Sequence, residues 1–216
     1  MLITFPKGGI IMTLKIKDPG SALTHFIAMI LALCAASPLI IKAAAEPDKS
    51  HVLALSIFIV SMILLYAAST IYHTLDISPK INRMLRKVDH MMIFILIAGS
   101  YTPVALSLVG GWLGYSIIIL QWGTTIFGIL YKIFAKKINE KFSLFLYLMM
   151  GWLVIFIIPA IVTKTGPAFW GLMLAGGLSY TVGAAFYAKK KPYFHMIWHL
   201  FIMLASALQY LGIVYF

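Results

Sequence analysis

Residues 53–73 read LALSIFIVSMILLYAASTIYH, a stretch with no charged side chain before its final histidine. A helix that spans a membrane needs roughly 20 mostly apolar residues to cross about 30 Å of hydrocarbon, and this stretch meets that requirement. The whole chain has the same character, because 62% of its residues are hydrophobic, 11% are charged and its mean hydropathy is +0.98. Such a chain has too few polar side chains to cover a water-soluble surface. The sequence therefore predicts an integral membrane protein.

Seven hydrophobic runs of similar length divide the chain, and the joints between them are short, basic or rich in glycine and proline. Short joints are typical of neighbouring antiparallel helices rather than of separate domains. We expect an all-α membrane protein, with a seven-transmembrane helix bundle in residues 20–216 and a cytoplasmic N-terminal segment in residues 1–19. The predicted spans are 20–42, 52–74, 88–109, 112–134, 142–163, 167–188 and 193–215.

The positions of the positive charges predict the orientation of the bundle. Of the 17 Lys and Arg residues, all but Lys42, Lys49 and Lys164 fall in the N-terminal segment or in even-numbered joints, on one side of the membrane. The positive-inside rule assigns that side to the cytoplasm, so the N-terminus is expected inside and the C-terminus outside. The net charge of +11 then favours anionic lipid headgroups at the cytoplasmic face as partners. Because the basic residues are dispersed over four short segments, no nucleic-acid partner is expected.

Five polar residues fall at the cytoplasmic ends of three predicted spans. Span two ends at His73, with Ser69 one turn earlier on the same helix face. Span three begins near Asp89, and span seven begins near His195 and His199, which are four residues apart. Ionisable groups inside a membrane are costly unless they face the bundle interior and find partners. The sequence therefore predicts that these side chains form one site.

Three neutral imidazoles match the ligand set of a tetrahedral zinc ion with one open coordination position, as catalytic zinc sites have. Asp89 would then be a fourth ligand, or would bind a water molecule at the metal and act as a general base. Iron, cobalt or copper would also accept three imidazoles. Without any metal, the same residues would form a hydrogen-bonded cluster between helices. His25, at the start of span one, either joins this layer or is an interfacial histidine.

Three motifs in the same order resemble the bacterial hemolysin III family. They are STIYH at 69–73, DHMMIFILIAGSYTP at 89–103 and HMIWH at 195–199. That family includes membrane-homeostasis proteins and is related to progestin and adiponectin receptors and to alkaline ceramidases. The resemblance implies a seven-helix bundle in a bacterial plasma membrane, with a zinc site near the cytoplasmic face. It also implies that His73, His195 and His199 bind zinc, that Asp89 holds the metal's water and that Ser69 lies beside it.

The leading hypothesis for the function is a zinc-dependent hydrolase of a lipid amide or acyl bond that acts in membrane lipid homeostasis. In this hypothesis Asp89 transfers the proton and Ser69 hydrogen-bonds the water or the substrate. The alternative is a non-enzymatic lipid sensor or receptor-like protein that zinc stabilises. A secreted cytolysin is a weaker alternative, because a pore former must first be soluble, whereas this chain has hydrophobic spans throughout.

Overall fold

The computed structural model describes residues 16–45, 49–189 and 191–215, which are folded into helices and turns without any strand. Residues 1–15 of the predicted N-terminal segment lie outside the described residues. The α-helices are α1 (Pro19–Ala45), α2 (Lys49–Thr74), α3 (Pro79–Pro103), α4 (Gly111–Phe134), α5 (Glu140–Trp152), α6 (Ile158–Ile161), α7 (Pro167–Tyr187) and α8 (Phe194–Tyr215). Among the described residues, six helices are long and apolar enough to cross a membrane: α1, α2, α3 with its continuation to Val109, α4, α7 and α8.

Residues outside the apolar runs set where several helices begin. The Ser78 side chain accepts a hydrogen bond from the Ile81 N–H at 3.3 Å, and Pro79 occupies the first helical position of α3. The Asn139 side chain accepts from the Phe142 N–H at 3.2 Å at the start of α5. Both pairings satisfy amide groups that have no partner within their own helix. Polar residues in the joints therefore determine where these two apolar helices begin.

The fifth predicted span, 142–163, is not one continuous helix. α5 ends at Trp152, a 3-10 turn covers Leu153–Phe156, and α6 has only four residues. Pro159 accounts for the break, because proline lacks an N–H and its ring clashes with the carbonyl four residues earlier. Side chains of neighbouring helices bind carbonyls in the last turn of α5: Gln121 donates to Met150 and Tyr101 donates to Gly151.

The two ends of this broken segment lie at opposite ends of the bundle. Glu140 forms an ion pair with Arg86 in the first part of α3. Lys164 donates a hydrogen bond of 2.8 Å to the carbonyl of Leu108, which lies beyond the other end of α3. Residues 140–164 therefore run alongside α3 from Arg86 to beyond its C-terminal end, although they do not form a single helix.

α3 also changes its winding where a proline interrupts its hydrogen bonds. A π-helical turn, Val104–Val109, follows Pro103 directly. Gly110 and Gly111 then have φ values of 68° and 55°, a conformation that glycine adopts at little cost. These two residues turn the chain so that α4 can pack back against α3.

Helices α7 and α8 are closely packed. They approach so closely that a Cβ on Gly183 would lie 2.7 Å from the Cβ of Phe201.

The outer surface of the bundle exposes large apolar side chains, including Phe156 at 80% and Ile119 at 73%. Such a surface is costly in water but matches lipid acyl chains. The chain is a multi-pass membrane protein.

Candidate metal centre

Three histidines meet at one end of the bundle, which we call the histidine end. His73 lies in the last turn of α2, while His195 and His199 lie in the first two turns of α8. The spacing of four residues puts His195 and His199 on the same face of α8. Each of the three rings offers one nitrogen that lies within 4.8 Å of the other two. His73 and His199 are buried and His195 is half-buried, so that the group is largely shielded from the surroundings.

The distances within this group fit a single tetrahedral metal ion. The Nε2 atoms of His73 and His195 are 3.2 Å apart. The ring centroid of His199 is 4.8 Å from that of His73 and 4.6 Å from that of His195. Two nitrogens that bind one tetrahedral ion at about 2.0–2.1 Å lie about 3.3 Å apart. The three imidazoles are therefore close to the arrangement that a metal ion would need.

Groups from the start of α1 fix the orientation of two of these rings. The Nδ1 atom of His73 lies 3.3 Å from the Oδ2 atom of Asp18, and the Asp18 N–H donates to the His73 carbonyl at 2.9 Å. The Nδ1 atom of His199 lies 3.3 Å from the carbonyl oxygen of Ser21. In both rings this leaves Nε2 available for a ligand. A carboxylate or carbonyl behind the ring is what metal-binding histidines commonly have.

Asp18 lies just before α1 and has a perturbed ionisation. Partial burial acts to raise the pKa of the Asp18 carboxyl, but the hydrogen bonds that it accepts from Ser21 and the facing His73 outweigh this, and the net pKa is lowered. Asp18 is therefore an anion at neutral pH. An anionic carboxylate favours a proton on the Nδ1 atom of His73 and so supports Nε2 as the metal-binding nitrogen.

Asp89 and Ser69 are not part of the group of three histidines. Asp89 is buried on α3 and Ser69 is buried on α2. Among the described residues, the carboxyl group of Asp89 is not part of the group of atoms within 4.8 Å. The Ser69 hydroxyl lies within interaction range of the Asp89 carboxyl, without a hydrogen bond of standard length and angle. This placement fits the hypothesis that Asp89 binds a water molecule at the metal better than the hypothesis that Asp89 is a fourth metal ligand.

The other histidines occupy three different environments. His25 is buried on α1, and its ring stacks on that of His199 with a centroid distance of 3.7 Å and an interplanar angle of 11°. His90 is also buried, and its backbone carbonyl accepts a hydrogen bond of 2.8 Å from the Tyr147 hydroxyl. His51 lies at the opposite end of the bundle, where it lines a pocket with Lys42.

Two side chains at the histidine end do not stand out in the sequence. Asp18 falls in the predicted N-terminal segment, and Lys132 is one of the positive charges that indicate the orientation. Lys132 is fully buried on α4, and its Nζ atom has no hydrogen-bond partner within the described ranges. The scarcity of acidic residues was the available signal for Asp18, because it is the only one among the first 45 residues. No pattern in the sequence distinguishes Lys132 from the other lysines in the joints.

An apolar crevice runs from the neighbourhood of the histidines towards the opposite end, between α3, the broken segment, α7 and α8. Its volume is about 140 Å³. Near the histidine end it is lined by Tyr147 and by Trp198, which precedes His199 in the chain. At the far end it is lined by Trp170 and Gln209. The described residues that line the crevice include neither the three histidines nor Asp89 or Ser69, so Trp198 is the link between the crevice and the histidine end.

The fold and the site define a class of protein: a helical membrane protein with a buried group of three histidines at one end of the bundle. The chain belongs to the haemolysin-III related family, whose model matches residues 14–210. It is 39% identical over 208 residues to Hemolysin-3 from Bacillus cereus, an alignment that covers 95% of this chain and 94% of the relative. It is 36% identical over 201 residues to a Hemolysin-3 homolog from Bacillus subtilis (strain 168), with 93% and 94% covered.

A human protein, monocyte to macrophage differentiation factor, is 30% identical over 164 residues, which cover 69% of this chain and 64% of the relative. The family membership predicted from the three sequence motifs is thus confirmed. A bacterial plasma membrane is consistent with the organisms of the two Bacillus relatives.

Proposed function

We propose that this protein is a zinc-dependent hydrolase that cleaves an amide or acyl bond of a membrane lipid. The observation that carries the proposal is the largely buried group of three imidazoles at one end of the bundle, with an apolar crevice that is lined by Trp198, the neighbour of His199 in the chain. A metal ion bound by three histidines could equally well stabilise the fold without any catalysis. The adjacent crevice, which suits an acyl chain, and the nearby Asp89 favour catalysis.

The proposal includes seven membrane crossings with a cytoplasmic N-terminus. Two contacts support a crossing by the broken fifth segment, because Glu140 pairs with Arg86 at the histidine end and Lys164 binds the Leu108 carbonyl at the other. Irregular backbone is tolerated at membrane depth where protein groups satisfy it, as Gln121 does for α5. The excess of Lys and Arg at the histidine end supports a cytoplasmic location for that end.

Each residue of the site then has a distinct task. Zinc held by three imidazoles acidifies water and polarises a carbonyl group. His73, His195 and His199 would hold the ion. The Asp18 carboxylate would orient the His73 ring through its Nδ1 atom, and the Ser21 carbonyl would orient the His199 ring in the same way. A carboxylate oxygen of Asp89 would accept the proton from the attacking water and return it to the leaving group.

The remaining contacts would be made with the lipid. The Ser69 hydroxyl would donate a hydrogen bond to the Asp89 carboxylate and keep it aimed at the site. The acyl chain would lie in the crevice against Trp198 and Tyr147. The basic residues around the histidine end would attract anionic headgroups, each by about 1 kcal/mol near the surface. Membrane lipids are therefore the partners that we propose.

Metal analysis of purified protein tests the first part of the proposal. Wild-type protein should contain about one zinc ion per chain, and His199→Ala should lose most of it while it elutes as a folded protein. His51→Ala, at the opposite end of the bundle, is the matched control and should retain the metal. Equal zinc content in wild type and His199→Ala would refute the ligand assignment.

Lipid profiling of cells separates an enzyme from a zinc-stabilised lipid sensor. Asp89→Asn keeps the shape of the side chain but removes its basic oxygen, so it should retain zinc and lose turnover by roughly 100-fold or more, in line with the contribution of general bases. Cells that express wild type should then show a lipid product that cells with Asp89→Asn lack. Identical lipid profiles, with zinc retained in both proteins, would favour the non-enzymatic sensor.

A further inference from the structure

His25 is a buried histidine whose ring nitrogens lack partners. Its residue exposure is 1%, and neither ring nitrogen makes a hydrogen bond of standard length and angle with any described residue. A buried polar group without a partner destabilises the folded state. Native proteins rarely keep such a group unless a water molecule or a ligand satisfies it. The ring therefore calls for a partner other than the described residues.

The immediate neighbours of His25 are already engaged with other groups. The Tyr66 ring packs edge-on against it at 5.2 Å, but the Tyr66 hydroxyl is hydrogen-bonded to the hydroxyl of Ser206. The Thr24 hydroxyl donates to the Ser21 carbonyl at 2.9 Å. The backbone carbonyl of His199 lies close enough to the His25 ring to interact with it electrostatically, but the two do not form a hydrogen bond of standard length and angle. A neutral imidazole has one N–H and one acceptor nitrogen. If the N–H faces this carbonyl, the acceptor nitrogen remains open.

The position of the ring links it to the metal group without making it a ligand. His25 is outside the set of nitrogens that lie within 4.8 Å of one another. Its ring stacks nearly parallel on that of His199, with a centroid distance of 3.7 Å. His25 is therefore the immediate neighbour of one of the three rings, and a molecule bound by the metal group would lie in the same neighbourhood.

We infer that His25 binds the molecule that occupies the open side of the metal group, by accepting a hydrogen bond from an O–H or N–H of that molecule. This inference rests on the metal site of the proposed function. The natural donors are a water molecule and the N–H of a lipid amide. An ester lacks such a donor, so that the same residue would favour amide substrates over esters.

Cobalt-loaded protein in detergent provides a test that does not depend on turnover. Cobalt binds the same ligand types as zinc, and its visible absorption reports small molecules that bind to it. Acetohydroxamic acid binds metals through oxygen and carries a donor, whereas azide carries none. In His25→Phe, which keeps an aromatic ring but removes both nitrogens, the affinity for acetohydroxamic acid should fall about three- to tenfold. The affinity for azide should stay unchanged.

Further variants keep the outcome clear. If the larger ring of His25→Phe prevents folding, His25→Leu takes its place. His25→Gln retains a hydrogen-bond acceptor, so we expect it to recover part of the affinity for acetohydroxamic acid. His90→Phe is the matched control, because His90 is also buried at this end and should have no effect on either probe. Equal affinity for acetohydroxamic acid in wild type and in the His25 variants would overturn the inference. So would a loss of cobalt from these variants, which would make His25 part of the metal support. Failure of the wild type to bind cobalt would instead count against the metal site itself.

Discussion

The two ends of the bundle use polar side chains in opposite ways. At the end away from the histidines, Lys164 donates to the Leu108 carbonyl at 2.8 Å, and Lys42 donates to the Val214 carbonyl at 2.6 Å. Each cation thus meets a carbonyl at the C-terminal end of a helix, where the helix dipole favours positive charge. At the histidine end, the nitrogens of His73 and His195 face each other at 3.2 Å.

This difference separates polar groups that bind other parts of the protein from polar groups whose nitrogens are available to a ligand. A lysine on a helix carbonyl is satisfied by the protein itself. Two imidazole nitrogens at this distance are satisfied when an N–H of one ring donates to the other ring or when a cation lies between them, whereas two N–H groups or two lone pairs repel. The histidine end can therefore accept a cation, whereas the lysines of the opposite end bring their own positive charge.

Removal of the metal should give the largest effect in this comparison. A ligand present at 1,000 times its Kd stabilises the folded state by about 4 kcal/mol, so a chelator should lower the midpoint of unfolding of the wild type clearly. His73→Ala should be less stable at the outset and insensitive to the chelator. The measurement is unfolding in detergent with and without chelator. Equal chelator sensitivity of both proteins would show that the stabilising ion binds elsewhere.

Replacement of Asp18 should weaken the metal site without abolishing it. Groups that orient a metal-binding histidine typically contribute 10- to 100-fold to metal affinity, and Asp18→Asn removes the negative charge behind His73. Competition with a chelator of known affinity measures the change. Asp76→Asn is the control, because Asp76 is an exposed residue of the α2–α3 turn that binds Asn82. A similar loss of affinity in both variants would mean that general surface charge, not orientation of His73, is responsible.

Replacement of Lys164 should give the smallest effect and should leave the metal untouched. The side chain is exposed and contributes one hydrogen bond to a helix end, for which about 0.3–1 kcal/mol is expected. Lys164→Met should lower the free energy of unfolding by this amount and keep the same zinc content as wild type. A loss of zinc in this variant would contradict the separation of roles between the two ends.

The sequence predicted the helical class, the family and most of the spans, because apolar runs in lipid leave the backbone little choice but to form helices. It also brought His73, His195 and His199 to one level, since antiparallel spans of similar length place their ends together. The roles of these residues, and of Asp89 and Ser69, remain predictions for the experiments above.

Other features depend on contacts that no periodic pattern records. Composition suggested a continuous fifth span, but Pro159 breaks it where Tyr101 and Gln121 can bind the carbonyls of α5. Asp18 reaches His73 only because the chain before α1 packs against the end of α2. The stacking of His25 on His199 likewise follows from side-chain packing between α1 and α8, which hydropathy does not describe.

The broken fifth segment has a consequence for the biogenesis of the protein. A regular apolar helix can leave the translocon alone, because its own backbone satisfies every amide. In residues 140–164 the Gly151 carbonyl accepts from Tyr101 of α3, and the Met150 carbonyl accepts from Gln121 of α4 in addition to the Leu153 N–H. We therefore expect the segment to enter lipid more favourably together with α3 and α4 than alone, so that these three parts of the chain would be integrated as a cooperative unit.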